Sequence, residues 1–262
     1  VNDNSKDDTK YLVDEFKKMF KNINYIELTQ EAKMISGKKF PLSMGIKSAK
    51  YEIVLLTDAD CVPATEHWIK KMQAAYTDNI EIVLGYGAYR KKPGFLNKLI
   101  RFETMLTATQ FFGWAKMGKP YMGVGRNLAY KREEFFRVNG FIDHMKLRSG
   151  DDDLFINQAA EKENTTVCFS KESFTYSMPK TTYKEWFTQK RRHISTATYY
   201  KMFDRFQLGL FFLTQLLFLI LAILLLSINF QWMFVLPVVL IRYTFAWISM
   251  GFAASKLNEK DV

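Results

Sequence analysis

The residues with the clearest chemical promise lie at the end of a short apolar run, Tyr51-Glu-Ile-Val-Leu-Leu-Thr-Asp-Ala-Asp-Cys61. Ile53 to Leu56 is continuous and apolar, which predicts a strand buried on both faces of a parallel sheet. The run stops at Thr57, and two carboxylates follow one residue apart, Asp58 and Asp60. In open α/β sheets, ligands collect at the carboxyl ends of the strands. Two acids on a turn there can share a hard cation such as Mg²⁺ or Mn²⁺, typically held by one or two carboxylates together with the phosphates of a substrate. With charged residues about a quarter of average composition, an Asp-x-Asp arises about once by chance in a chain this long. Its place at the tip of a buried strand is what singles this one out.

Three other polar clusters invite chemistry, each with a plainer alternative. Ser149-Gly-Asp-Asp-Asp-Leu154 sets three acids before an apolar helical stretch, Leu154 to Ala160. Acids near the positive end of a helix dipole are common without any function, but three exceed what capping requires. Gly37-Lys38-Lys39 is a basic turn at a helix start, where amides and an ammonium can meet a phosphate; a solvated lysine pair is the plainer reading. Trp186-Phe-Thr-Gln189-Lys-Arg-Arg192-His193 mixes aromatic and basic groups just before an apolar segment, where anionic-lipid contact is the ordinary explanation. Gly123-Val-Gly125 lacks the third glycine and following helix of a dinucleotide fingerprint, and reads as a tight turn into a strand over Asn127 to Tyr130.

The elements that must carry these residues follow from periodicity. Asp3, Asn4 and Ser5 favour a turn or helix cap, and Asp7-Asp8-Thr9 continue the polar lead. Tyr11, Leu12, Phe16, Met19 and Phe20 recur at helical spacing, so an amphipathic helix is expected over Lys10 to Lys21, with a short strand over Ile23 to Leu28. Helices are expected over Pro41 to Ala49, from Pro63 to about Tyr76, and over Lys131 to Val138; strands over Ile80 to Tyr86 and Val167 to Phe169. Phe95 to Lys116, after the Pro93-Gly94 break, reads as a helix on the membrane surface or against an acceptor, or else as a core helix.

The totals fit one large or two modest domains: 262 residues, 48% hydrophobic and 16% aromatic, with a net charge of +10. That charge suits nucleic acid, anionic lipid or phosphorylated substrates alike. Cys61 and Cys168 cannot build a disulfide framework, and no Cys/His spacing resembles a zinc site, so a reducing cytosolic setting is expected for the polar part. No charged residue occurs from Phe206 to Ile241, and Phe206 to Ile228 is long enough to cross a bilayer. Ser227 to Gln231 is the natural turn, and Gln231 to Ser255 a second span containing Pro237 and Arg242. A mid-membrane arginine costs roughly 2.5–3.5 kcal/mol on insertion scales, so Arg242 is expected to face protein or water. Lys201 and Arg205 flank the first span and Lys256 and Lys260 the second, while the turn carries no Lys or Arg. Both outer flanks are therefore expected in the cytoplasm, in a multi-pass protein of the inner (cytoplasmic) membrane.

Taken in order, these pieces resemble glycosyltransferase family 2, the inverting enzymes with a GT-A fold, over residues 1 to about 205. Val1-Asn2-Asp3-Asn4-Ser5 is similar to the family's Val-Asp-Asp-x-Ser, with Asn2 in place of the first Asp and Asp3 matching the acid that contacts the nucleotide base. Gly37-Lys38, then Leu42 and Gly45, is similar to Gly-Lys-x-x-Ala-Leu-Asn-x-Gly, with Pro41 and Ser43 departing from it. Asp58-Ala59-Asp60 stands as the family's Asp-x-Asp, which binds metal and the sugar-nucleotide diphosphate. Asp151 falls where the family's Glu-Asp-x-Asp-Leu carries its catalytic base; Gly150 replaces the Glu, and Asp152 is the alternative base. Gln189 and Arg192 match the Gln-x-x-Arg-Trp of membrane-embedded members, with His193 in place of the Trp that lines the acceptor end in polymer-making relatives. The resemblance also implies a first strand and helix ahead of Val1, without which the sheet lacks a central member and leaves unpaired edges.

The implied fold is α/β, a Rossmann-like mixed sheet flanked by helices, followed by a C-terminal transmembrane hairpin. Residues 1–205 would form the transferase domain, 206–255 the two spans and 256–262 a cytoplasmic tail. The implied activity is transfer of a sugar from a nucleotide diphosphate to a hydroxyl of a lipid-linked or glycan acceptor, with Mg²⁺ or Mn²⁺ at Asp58 and Asp60 and with Asp3, Lys38, Gln189 and Arg192 at the donor. Two rivals stand beside it: an inactive sugar-nucleotide-binding membrane protein, and an anionic-lipid or nucleic-acid module. Basic and aromatic residues interleave over Phe187 to His193, but no nucleic-acid motif is recognisable and nucleic acid is not the expected partner.

Overall fold

The computed structural model describes residues 1–28 and 37–262. In chain order the first elements are β1 (Asn2–Asp3), α1 (Thr9–Met19), β2 (Glu27–Leu28), α2 (Lys39–Ser48), β3 (Ile53–Leu56), β4 (Val62–Pro63) and α3 (Trp68–Gln73). Next come β5 (Ile82–Gly85), β6 (Gly87–Tyr89), α4 (Phe95–Lys116), β7 (Leu128–Lys131), α5 (Arg132–Arg137) and α6 (Asp153–Ala159). The chain closes with β8 (Thr165–Cys168), β9 (Thr175–Ser177), α7 (Tyr183–Thr196), α8 (Met202–Ser227) and α9 (Trp232–Lys256).

The main sheet runs β3-β7-β5-β8, with β7 antiparallel to both β3 and β5, and β8 parallel to β5. Alternation along its strands divides the core. Leu84 and Leu128 face one side, with Phe111 of α4 and Phe155 and Ile156 of α6; Val83 and Ala129 face the other, with Met72 of α3 and Cys168. Burying each such large apolar side chain contributes roughly 1.5–3 kcal/mol. A second sheet runs β4-β9-β6, and a two-residue parallel pair, β1-β2, stands apart.

The mixed α/β architecture matches the expected class, but several details differ. Ile53–Leu56 is not a strand buried among parallel neighbours: among the described residues it pairs with β7 alone, antiparallel, and only Val54 in it is buried. A continuous apolar run signals burial without saying which neighbour provides it. The helix expected from Pro63 begins five residues later, because Val62 and Pro63 pair with β9 and the Ala64 amide donates to the Phe174 carbonyl. The strand expected over Ile80 to Tyr86 parts at Tyr86 into β5 and β6, which enter different sheets; the Asn127 amide caps this switch by donating to the carbonyls of Tyr86 and Ser173.

Phe95–Lys116 is a core helix rather than one lying on a membrane surface: nine of its residues are buried, from Asn97 through Arg101 to Ala115. The helix α1 has the expected amphipathic pattern, yet none of its residues is buried. The helix α7 opens on a capping box, with the Thr182 hydroxyl accepting from the Glu185 amide. The helices α8 and α9 are almost wholly exposed and each is long and apolar enough to cross a bilayer, about 39 Å for the 26 residues of α8. Arg242 of α9 turns toward α8, hydrogen-bonded to Gln215 and lying 4.1 Å over the Phe218 ring.

The last residues are not a loose tail. Leu257 and Glu259 are buried against the domain, and Arg101 of α4 binds Glu259 at 2.5 Å and Asp261 at 2.6 Å. Tyr86 adds a hydrogen bond to Glu259, and Lys91 one to Asp261. Two acids separated by one residue in a polar tail carry no sequence sign of such partners; the folded chain supplies them.

Candidate functional site

A single cavity of about 1200 Å³ gathers most of the predicted site residues. Asp3, Lys38, Asp58, Asp151, Asp152, Gln189 and Arg192 all line it, together with His193. Asp60 does not line it: its exposed carboxylate stands beside the rim, with ligand atoms of Asp58, Asp60 and Cys61 all within 4.8 Å of one another.

At one end α2 projects Lys38, whose ammonium donates to Asp58 Oδ1 at 2.5 Å. Burial pulls the lysine's pKa down, but the hydrogen bond and charge of Asp58, with Asp151 and Asp152 behind it, raise it on balance, so this cation is held charged. Gly37 enters the helix at φ +71, and a Cβ there would sit 2.5 Å from the Arg148 carbonyl oxygen, so glycine alone fits the turn. Lys39 is not the solvated partner of Lys38. It is 1% exposed and donates to the carbonyls of His144, Leu147 and Ser149 at 2.5, 2.8 and 2.9 Å. It therefore ties α2 to the loop that delivers the acidic triplet.

The three acids of that triplet have distinct environments. Asp152 caps α6 and is engaged at both oxygens, accepting from the amides of Asp153 and Gly125, each at 2.8 Å. Asp153 is buried and accepts from the Thr196 hydroxyl and, at 2.9 Å, from the Tyr200 hydroxyl; burial pushes its pKa up, and the Asp152 charge adds to that. Asp151 is half-buried on the cavity wall, and no side-chain hydrogen bond fixes its carboxylate among the described residues. Burial, reinforced by Asp152, pushes it up to about 6. Gly150 holds φ +99 and a Cβ would fall 2.4 Å from Leu154, which accounts for glycine just before the triplet.

Arg126, which the sequence reading passed over as part of a turn, also lines the cavity. Its guanidinium lies 4.3 Å over the Tyr89 ring and donates to Ser177, and its carbonyl accepts from Thr57 and Thr175. No carboxylate pairs with it among the described residues. Gln189 donates to the Tyr89 hydroxyl at 3.3 Å, and Asn2 is structural, bonding Tyr25 and the Ser5 amide. The oxygens of Asp58 and Asp60 are hard donors suited to Mg²⁺ or Mn²⁺. Burial raises the Cys61 thiol, leaving it protonated and a poor partner for a hard cation.

Residues 1–153 match the sequence pattern of glycosyl transferase family 2, and the chain belongs to that family. Among solved structures, the mannosyltransferase PcManGT from Pyrobaculum calidifontis, in complex with GDP-Man and Mn2+, aligns with a TM-score of 0.50 at 19% identity. The match covers 70% of this chain and 48% of that enzyme, so the chain spans about half the length of the structure it resembles; the two share a GT-A-like fold. A mycobacterial protein aligns over 70% of this chain and 57% of its own at 13% identity and a TM-score of 0.33, too low to bear on the fold. No curated protein matches the chain.

Proposed function

We propose that this member of glycosyl transferase family 2 is a membrane-anchored transferase that moves a sugar from a nucleotide-diphosphate donor to a hydroxyl of a lipid-linked or glycan acceptor, with inversion. The observation that carries this is the Asp151 carboxylate, which no other side chain binds among the described residues and which has a raised pKa and shares a cavity with the Lys38–Asp58 pair. A general base works best when its pKa approaches the operating pH. Asp151 takes the acceptor's hydroxyl proton as that oxygen forms its bond to the anomeric carbon. The bond from that carbon to the diphosphate oxygen breaks in the same displacement, and its electron pair leaves with the diphosphate. One displacement from the opposite face inverts the anomeric centre.

Of the cations that line the cavity, Lys38, Arg192 and Arg126 would meet the departing charge. Asp58 and Asp60 would hold Mg²⁺ or Mn²⁺, which when bound supplies further neutralisation of the diphosphate. Asp3 and Gln189 contribute to the donor pocket. Asp152 serves better as an anchor than as the base, because backbone amides already occupy both its oxygens.

In this reading residues 1–205 form the catalytic domain and 206–255 the membrane hairpin. The ion pairs from Arg101 to Glu259 and Asp261 support a reading in which domain and tail share one side of the membrane, the arrangement that the basic flanks also favour. Reporters inserted before Arg205 and fused after Lys260 should both report the cytoplasm; a reporter active outside at either point overturns the hairpin.

The chemical test compares two variants. Asp60→Ala should weaken donor binding as well as turnover. Asp151→Asn should leave donor affinity near normal while transfer falls by about 10²–10⁴-fold. Near-normal transfer in Asp151→Asn would move the base to Asp152, and donor binding without any turnover in the unaltered chain would mark an inactive relative.

A further inference from the structure

Lys39 takes no direct part in the reaction above, yet its burial carries a cost that the fold must offset. It is 1% exposed, and its partners among the described residues are all carbonyls: His144 at 2.5 Å, Leu147 at 2.8 Å and Ser149 at 2.9 Å. Three acceptors take all three hydrogens of an ammonium, so this geometry requires the charged form. A buried charge is expensive to keep, and an apolar side chain of similar length would pack α2 at less cost. What the ammonium adds is loop geometry. It draws three carbonyls, all from residues 144–149, onto one point.

That stretch ends next to the acids. Ser149 is separated from Asp151 only by Gly150, which holds φ +99. No side-chain hydrogen bond holds the Asp151 carboxylate among the described residues, so its place depends on its own backbone, and hence on Ser149 and Gly150. A second contact makes the same join. A Cβ at Gly37 would lie 2.5 Å from the Arg148 carbonyl oxygen, so the turn that starts α2 rests directly on the loop. Lys38 lies between these two contacts in sequence and reaches Asp58 at 2.5 Å. One helix start therefore governs both a cation of the donor side and the loop that carries the base.

We propose that Lys39 is a positioning residue: by holding the carbonyls of His144, Leu147 and Ser149 it fixes where the Asp151 carboxylate stands relative to Lys38, and so aligns base and leaving-group cation for a single displacement. This rests on the transfer reading above and adds to it a residue that acts only through another. A misplacement of about 1 Å in such an alignment can cost roughly 10²-fold in rate. Burial lowers the Lys39 pKa, and the Asp151 charge opposes that shift. The attraction is mutual, so Lys39 also favours the ionised base.

The test uses the full chain in lipid nanodiscs, with radiolabelled UDP-glucose, UDP-galactose, UDP-N-acetylglucosamine and GDP-mannose as donors and a whole extract of the producing cells as acceptor. Lys39→Met nearly keeps the length of the side chain and removes its charge and its donors. It should bind each donor that the unaltered chain binds within about 3-fold, while kcat falls at least roughly 10-fold. Its turnover should also rise at a higher pH than that of the unaltered chain. Asp152, Lys38, Asp58 and Tyr130 act on Asp151 from the surrounding elements in both, so the shift reports Lys39. In the Asp151→Asn background the same change should cost less than about 2-fold, because the base it places is gone. Equal losses in both backgrounds, a donor affinity that falls as far as kcat, or normal transfer overturns this inference while the transfer reading stands. If Lys39→Met does not fold, Gly37→Ala, which drives a Cβ at the Arg148 carbonyl, should show the same split. If neither variant folds, or Gly37→Ala transfers normally, the contact serves folding alone and the inference fails. Absence of donor binding or of turnover in the unaltered chain overturns the transferase reading, near-normal transfer in Asp151→Asn overturns its base, and this inference falls with either.

Discussion

The two ends of the cavity are held by opposite means. Toward Asp3 and Lys38, α1 has no buried residue, and the Lys38 side chain remains 66% exposed even while it grips Asp58. At the other end, α4 buries nine residues, and its Arg101, 1% exposed, is clamped by Glu259 and Asp261. Ordering loose side chains on binding costs affinity, whereas a preformed wall does not. The Asp3–Lys38 end is therefore the looser of the two and the α4 end the more fixed.

The largest effect expected from this contrast is at the clamp. Arg101→Ala leaves Glu259 buried with its main partner gone, and breaking one side of a buried pair typically costs about 3–5 kcal/mol. The unfolding midpoint of the full chain in nanodiscs should fall clearly, and hydrogen exchange should quicken along α4 and the chain end before it changes in α1. The double change Arg101→Met with Glu259→Leu should recover much of the loss, because an apolar pair of similar volume is often neutral. If Arg101→Ala perturbs α1 as much as α4, the division of the molecule into a loose and a fixed end is wrong.

A smaller effect sharpens the same contrast through pH. Asp151, pushed up to about 6 by burial, must be ionised to act as base, so turnover should climb as pH rises through about 6 and level off above it. One pH unit below that value, roughly a tenfold loss is expected. Stability runs the other way. The folded chain holds the Asp151 and Asp153 protons more tightly than the unfolded chain, so charging them costs stability as pH rises from their ordinary range through their raised values. Asp153→Asn should flatten that decline in the unfolding midpoint while leaving the rise in turnover in place. A turnover profile flat from pH 5 to 7 in the unaltered chain would remove Asp151 from the base role.

Much of this was legible in the sequence where a local pattern was sufficient. The periodicity of Phe95 to Lys116 gives α4 its bounds, and the charge-free stretch after Arg205 gives the hairpin. The pattern could not say that Ile53–Leu56 would pair antiparallel with β7, since an apolar run carries no sign of its neighbour's direction. Nor could it separate Lys38 from Lys39, adjacent residues of one type, of which one faces the cavity and the other is buried under three carbonyls. Arg126 and the Arg101 clamp depend on contacts between residues far apart in the chain, for which the local sequence carries no sign.

The smallest effect tests the loose end itself. Asn2 is buried, donates to the Tyr25 hydroxyl at 2.8 Å and accepts from the Ser5 amide at 3.0 Å, so it shapes the turn that carries Asp3. Asn2→Asp restores the acid found in the family's pattern and removes one donor. The Tyr25 hydroxyl can turn and donate to the new carboxylate, because a phenol both gives and accepts. The Ser5 amide keeps its acceptor, now a charged one. The net change in stability should stay within about 1 kcal/mol, the scale of one hydrogen bond remade. Asn2→Ala cannot remake either bond and should cost more than Asn2→Asp, with faster exchange confined to the turn at Asp3. If Asn2→Asp were instead as damaging as Arg101→Ala, water would be excluded from β1 as it is from the clamp. The Asp3–Lys38 end would then be as fixed as the α4 end, and the contrast between them would fail.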